Sequence, residues 1–278
     1  MLDLHFSDIN GESIIYSKYS FQTHHQFLYI EPAKDAFAQQ VNPLENIDTL
    51  IMDTLQTAQT IMSCNKYMKY LCKVAENGIV FEKNFWQHTD FFSDDTNPEV
   101  VKIKAALLAY VEKYGTPTWE LEKNEKAPLP LSFRVSSARK KENLPNDYLK
   151  TFLMDKIALV EEGNLYPLCS FTLFFLYSYD LFLFGSADNR LRRVEHCRLY
   201  FNSNNSSPEL CAKAVGLVPS LRLAFIVFTI SHHKAIRICK NCGTLFITTD
   251  ARTEYCSSKC RSSYNTAQSR KRKKANLQ

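Results

Sequence analysis

The sequence predicts a mainly α protein of the α+β class. It would have a small N-terminal antiparallel sheet and a helical body over residues 1–230, with a separate cysteine-rich lobe over 231–278. Three observations predict it. Short apolar runs separated by turn residues occupy the first thirty positions. Apolar residues then recur at helical spacing through long stretches. Finally, four cysteines close together near the C-terminus share their segment with most of the excess positive charge.

At 278 residues, with 45% hydrophobic and 13% aromatic content, the chain can bury a sizeable core as one large domain or two modest ones. Seven glycines are few for a nucleotide-binding α/β or barrel enzyme rich in tight turns. The net charge of +5 is unevenly placed. Residues 236–278 hold ten Lys/Arg against two Asp/Glu, a local net of +8, so the remainder is net −3. Such asymmetry is an electrostatic footprint for a polyanion, and a solvated tail that keeps the chain soluble explains it equally. The five cysteines outside the last segment (Cys64, Cys72, Cys169, Cys197, Cys211) have no regular pairing and suit a reducing cytoplasm. Met1-Leu2-Asp3-Leu4-His5 has no signal-peptide character.

Taken in order, Ile14-Ile15-Tyr16 after the turn-like Asn10-Gly11, and Phe27 to Ile30, read as strands. His24 and His25 point apart as neighbours and do not suggest a shared metal. From Asn42-Pro43 a long helical pattern runs through Ile47, Leu50, Ile51, Leu55, Ile61, Met62, Tyr67 and Leu71 to a stop at Gly78. Its Met and Tyr positions read as core. Residues 79–97 gather Phe81, Phe85, Trp86, Phe91 and Phe92 beside Asp90, Asp94 and Asp95, an acidic loop over an aromatic cluster. Glu99 to Tyr114 reads as a helix stopped by Gly115 and Pro117.

Residues 120–146, charged and holding Pro128, Pro130 and Pro145, form the best internal loop, with Arg139-Lys140-Lys141 a small basic cluster inside it. Asp147 can cap a helix to about Val160. Leu165 to Phe184 approaches a membrane span in length and is followed by Arg190, Arg192 and Arg193. Asp180, its tyrosines, Ser170 and Ser178 favour a buried helix over a span. Val194 to Phe201 echoes the later Cys239 to Phe246 in frame, as a decayed copy or by chance. Residues 202–208 are a polar loop, and Pro208 to His232 is an apolar helical stretch bent at Pro219.

The residues that bear chemistry lie in the C-terminal segment. Cys239-x2-Cys242 and Cys256-x3-Cys260 are separated by thirteen residues. Four thiolates so paired predict a tetrahedral structural site for one Zn2+, because zinc accepts four sulfur ligands at about 2.3 Å. Gly243 offers the positive φ that ends a knuckle. Leu245 to Thr248 reads as a strand, Thr249 to Thr253 as the turn back and Tyr255-Cys256 as the end of a second strand. Ser257 can cap a helix whose first turn carries Cys260. Knuckle, hairpin and helix in that order is a treble-clef-like finger. His232 and His233 are spare ligands at best, since four sulfurs complete the shell.

The run Cys239-x2-Cys242-Gly243-x2-Phe246, then Arg252-x2-Tyr255-Cys256-Ser257-x2-Cys260-Arg261 and a basic helix, resembles the CGNR-type zinc finger and related bacterial C-terminal fingers. The resemblance covers about residues 237–278. It implies zinc on Cys239, Cys242, Cys256 and Cys260, and a bacterial DNA-binding regulator with a larger helical N-terminal domain. The chain departs from it after Cys260, reading Arg261-Ser262-Ser263-Tyr264-Asn265 where that family has Gly-Asn-Arg.

Independently, Arg261, Asn265, Gln268 and Arg272 fall on one stripe of the last helix, and these side-chain types read base edges. Arg270, Lys271, Arg272, Lys273 and Lys274 add five consecutive cations for phosphates. A solvated polar face explains the same stripe. Duplex DNA is therefore the expected partner, with a protein partner or small ligand at the N-terminal domain and no membrane. The rival is a protein-docking finger that meets no nucleic acid. Catalysis is not expected: four sulfurs leave zinc no open position, and residues 1–230 show no nucleophile elbow, phosphate loop or His-x-Glu pair.

Overall fold

The computed structural model describes residues 6, 8–24, 27–64, 72–75, 78–81, 91–117, 166–184, 197–202, 209–231, 234–250 and 252–275. The chain divides into two compact units, Phe6–Ala224 and a smaller one built on Phe225–Gln278. About half of the described residues are helical, and the rest of the regular structure is small sheets.

Helix α1 (Ile47–Met62) turns one face inward through Leu50, Ile51, Thr54, Leu55, Thr57, Ala58 and Ile61. Asn46 caps it, its side chain accepting from Thr49 N. Helix α2 (Pro98–Tyr114) begins with Pro98 in its first turn behind the Asn97 cap and buries Val100, Ile103, Leu107, Tyr110, Val111 and Tyr114. Helix α3 (Leu168–Phe184) is buried at Leu168, at 171–176, and at Ser178 and Tyr179. It tolerates hydroxyls inside because Thr172 and Ser178 donate to the carbonyls of Leu168 and Phe174, one turn back. No helix among the described residues is long and apolar enough to cross a membrane.

α1 packs against both α2 and α3. The Tyr110 ring meets Phe175 edge-on at a centroid distance of 4.7 Å. Inside this core Thr54 Oγ1 donates to the Leu50 carbonyl at 2.7 Å and lies 2.8 Å from Tyr110 Oη. With the threonine proton so committed, Tyr110 must be the donor between them. Thr54→Val should therefore strand a buried hydroxyl and cost about 1–2 kcal/mol in urea unfolding followed by circular dichroism. Adding Tyr110→Phe should recover most of that loss. An additive double variant would show that the pair is not coupled.

Strands β1 (Asp8–Tyr16), β2 (Tyr19–His24), β3 (Phe27–Pro32) and β4 (Ala38–Val41) bear out strand character near the N-terminus. They do not make one antiparallel sheet. β2 and β3 pair as a hairpin, extended by the short β7 (Tyr166–Pro167). β1 sits inside a different sheet of order β4-β1-β9-β8, where β8 is Cys197–Asn202 and β9 is Glu209–Val215. β1 runs parallel to β9, with Asp8 opposite Cys211 and Glu12 opposite Val215. Asn10-Gly11 is therefore no turn. It lies in mid-strand, where a Cβ on Gly11 would stand 2.9 Å from Leu44 Cγ and from Ser220 Oγ.

Two other expectations are corrected. The helix expected to reach Gly78 ends at Met62, and β5 (Cys72–Ala75) pairs with β6 (Gly78–Phe81) as a hairpin. The α1 core stripe would next need apolar residues near position 65, where Asn65 and Lys66 stand. Glu76-Asn77-Gly78 and the β-branched Val74, Ile79 and Val80 favour a hairpin. The helical stretch expected from Pro208 begins as strand β9, whose small buried Cys211, Ala212 and Ala214 lie between two neighbouring strands. Gly216, at φ +90°, breaks it from α4 (Leu217–Ile226), which passes into a π-helical turn over Val227–Ser231. Cys197 to Phe201, in the segment that echoes the C-terminal pattern, belongs to β8, antiparallel to β9.

Asp94 turns inward on its own loop to Thr96, and Asp95 pairs with Lys104 at 2.5 Å. The acidic loop at 94–97 thus serves as the entry to α2. The loop at 120–146, the helix from Asp147, His25, Tyr67, Trp86, Val194, His232 and His233 lie outside the described residues.

Candidate metal centre

Strands β10 (Ala235–Ile238) and β11 (Leu245–Thr248) pair antiparallel, with Ile238 opposite Leu245. The knuckle is the loop of this hairpin. Cys239 N donates to the Thr244 carbonyl at 2.9 Å, and Gly243 N donates to the Cys239 carbonyl at 2.9 Å. Gly243 has φ +71°, as the spacing requires, and nothing lies within 4 Å of where its Cβ would be. Its need for glycine is therefore conformational alone.

The second ligand pair is returned to the knuckle by an anchor. Thr248 and Asp250 close a turn, with Asp250 Oδ1 accepting from Arg252 N at 2.9 Å. Lys240 N then donates to the Glu254 carbonyl at 3.0 Å, and the Lys240 ammonium pairs with the Glu254 carboxylate. Cys256 follows two residues later. Ser257 Oγ accepts from Cys260 N at 3.2 Å, the expected helix cap, and starts α5 (Ser258–Ala275). The expected second strand at Tyr255-Cys256 is not formed. The partner of β11 is the strand before the knuckle, because Ile236 and Ile238 offer the apolar positions, opposite Ile247 and Leu245, that Glu254 and Cys256 lack.

The ligand atoms of Cys239, Cys242, Cys256 and Cys260 all lie within 4.8 Å of one another. Cys242 Sγ is 3.7 Å from Cys256 Sγ, which is 3.5 Å from Cys260 Sγ. A tetrahedron with arms of about 2.3 Å has edges of about 3.8 Å, so the set fits a four-sulfur metal shell. Cys239 is buried, Cys260 half-buried, and Cys242 and Cys256 are exposed. Burial opposes ionisation of Cys239. Backbone N–H groups of Cys256, Cys242 and Asn241 outweigh it and bring the thiol down to about 6. The hydroxyl and N–H of Thr244 lower Cys242. The neighbouring thiols of Cys260 and Cys239, then desolvation, push Cys256 up to about 12. Four sulfurs this close repel one another as thiolates, and the charge of a divalent cation held among them would offset that repulsion and so favour loss of their protons.

α5 carries no buried residue, and only Cys260, Tyr264 and Gln268 are half-covered. The Tyr264 ring lies 5.4 Å from that of Tyr255, which ties the helix to the segment entering it. Arg261, Asn265 and Arg270 to Lys274 are exposed, whereas Gln268 falls on the covered side with Tyr264. Sequence reasoning missed the Lys240–Glu254 anchor and the Thr244 hydroxyl, since neither belongs to the cysteine spacing.

No protein-family model matches the chain, and neither a curated protein nor a solved structure matches it significantly.

Proposed function

We propose that this is a zinc-containing nucleic-acid-binding protein of the cytoplasm, a bacterial DNA-binding regulator whose N-terminal unit senses a ligand or partner. One Zn2+ on Cys239, Cys242, Cys256 and Cys260 would make the lobe a treble-clef-like finger of the kind the CGNR resemblance implies. The metal's part is structural: it crosslinks hairpin to helix and leaves no position for substrate. This chain's residues do the rest. The Lys240–Glu254 anchor presents Cys256, Ser257 starts the helix, and the helix carries the cations outward.

The observation that carries the proposal is α5 itself. It starts at the cysteine cluster and ends in five consecutive exposed cations, with no acidic residue from Ser257 onward. A polyanion is the complement of such an element.

The test uses the full chain. Elemental analysis should return one zinc per chain. Fluorescence anisotropy should show binding to duplex DNA that falls steeply with log salt, and that disappears with chelator or with Arg270 to Lys274 neutralised. Ile238, 45% exposed on the hairpin, favours protein docking as the second possibility. Zinc present without binding to any nucleic acid would decide for it.

A further inference from the structure

Resting on the nucleic-acid function above, we propose that the face of α5 turned away from the cysteines is a phosphate-binding face. The lobe then grips duplex DNA along its backbone without reading base sequence.

Coverage along the helix fixes which face is which. Only Cys260, Tyr264 and Gln268 are half-covered, at i, i+4 and i+8, so the protein side of the helix is centred on Tyr264. At roughly 100° per residue, the residues farthest from Tyr264 are Ser258, Lys259, Ser262, Thr266, Ser269, Arg270 and Lys273. All seven are exposed. They comprise three cations and four hydroxyls, with no apolar and no acidic member. Among the described residues, none of the three cations has a carboxylate partner. Thr266 Oγ1 donates back to the Ser262 carbonyl at 2.9 Å, so Ser262 and Ser269 have the hydroxyls to offer.

Phosphate oxygens are what cations and short hydroxyls bind together. Short side chains between the cations also let the helix axis come close to a backbone. Lys259 to Lys273 spans about 21 Å of helix, enough to meet several successive phosphates. The residue types suited to base reading are placed otherwise. Gln268 is half-covered, Arg261 and Arg272 sit on the shoulders toward Tyr264, and Asn265 stands at the edge of the open face. A helix approaching DNA by its open face therefore leads with phosphate ligands.

The experiment measures full-chain anisotropy against two DNA duplexes of unrelated sequence and one RNA duplex, over a salt series. Two triple variants remove equal charge. One carries Lys259→Ala, Arg270→Ala and Lys273→Ala on the open face. The other carries Arg261→Ala, Lys271→Ala and Arg272→Ala elsewhere on the helix. An unchanged metal content and helical circular dichroism check that each lobe is intact. The open-face triple should make the slope of log affinity against log salt shallower by about 2.7, and the other triple by less than about 1. The two DNA duplexes should bind within about two-fold of each other and better than the RNA. Equal effects of the triples, or about ten-fold preference for one DNA sequence, would overturn the backbone-face assignment while leaving nucleic-acid binding standing. A wild-type chain that binds no duplex at all would remove both.

Discussion

Cys256→Ser should take the bound metal of the full chain from one ion to none. Cys256 is the sulfur that touches both halves of the cluster, 3.7 Å from Cys242 and 3.5 Å from Cys260. A serine hydroxyl does not ionise to a ligand near neutral pH, so the shell would drop to three sulfurs and admit water. Structural zinc on small domains contributes on the order of 10 kcal/mol or more of apparent binding free energy. Losing one thiolate of four therefore frees hairpin and helix from each other. Elemental analysis after passage over a chelating column reads the stoichiometry. Limited trypsin digestion reads the lobe, which offers Arg237, Lys240, Arg252, Lys259 and Arg261 as cleavage points once it opens. Cys64→Ser and Cys211→Ser are the controls, since both cysteines are buried in the other unit and should leave one ion bound. Retention of a full equivalent of metal by Cys256→Ser would exclude the four-sulfur shell.

The features that the sequence made legible are those fixed by neighbours a few residues away. The gathering of the four cysteines is legible in their spacing, as are the Gly243 turn and the Ser257 cap. α2 is legible as an uninterrupted apolar stripe closed by Gly115, and its start falls one residue before the expected Glu99. What failed depends on partners far along the chain. β1 and β9 are separated by about two hundred residues, and nothing local announces that Asn10-Gly11 must lie flat beside Lys213 and Ala214. β9 itself reads Glu-Leu-Cys-Ala-Lys-Ala-Val, with one β-branched residue in seven, and suggests helix until a neighbour strand on each side is known. Gly216 was the missed signal there, a positive-φ residue between strand and helix.

The same distinction holds within the lobe. Leu245 to Thr248 was identifiable as a strand, but its partner had to be chosen between the segment before the knuckle and the one after it. Ile236 and Ile238 supply alternating apolar residues before it, whereas Thr253 to Cys256 supplies one tyrosine among polar residues. The pattern of period two at Ile236 and Ile238 is the local signal that selects the earlier segment. On α5, the stripe of Arg261, Asn265, Gln268 and Arg272 has the right period for a face. Which face is covered depends on the Tyr255–Tyr264 contact, and spacing does not report that.

Gly115→Ala should destabilise the larger unit by at least about 3 kcal/mol, with the metal stoichiometry unchanged. Two costs coincide at this residue. Its backbone stands at φ +83° and ψ −179°, a region that glycine almost alone occupies, and forcing another residue there costs roughly 1–3 kcal/mol. An added Cβ would also lie 2.2 Å from the Ile14 carbonyl oxygen, an atom of the β1 backbone that cannot swing away as a side chain tip can. The junction is closely built: Gly115 N ends α2 on the Val111 carbonyl at 2.8 Å, and Ser13 Oγ donates to the Tyr114 carbonyl at 2.8 Å. Relief would require α2 to move off β1, which exposes Tyr114 and disturbs its bond to Asp53 at 2.7 Å. Gly243→Ala is the matched comparison. It has a similar φ of +71° but no atom within 4 Å of the new Cβ, so it should cost only about 1 kcal/mol, confined to the lobe. Urea unfolding followed by circular dichroism compares the two. A Gly115→Ala chain as stable as Gly243→Ala would mean that α2 does not seat on β1 at that residue.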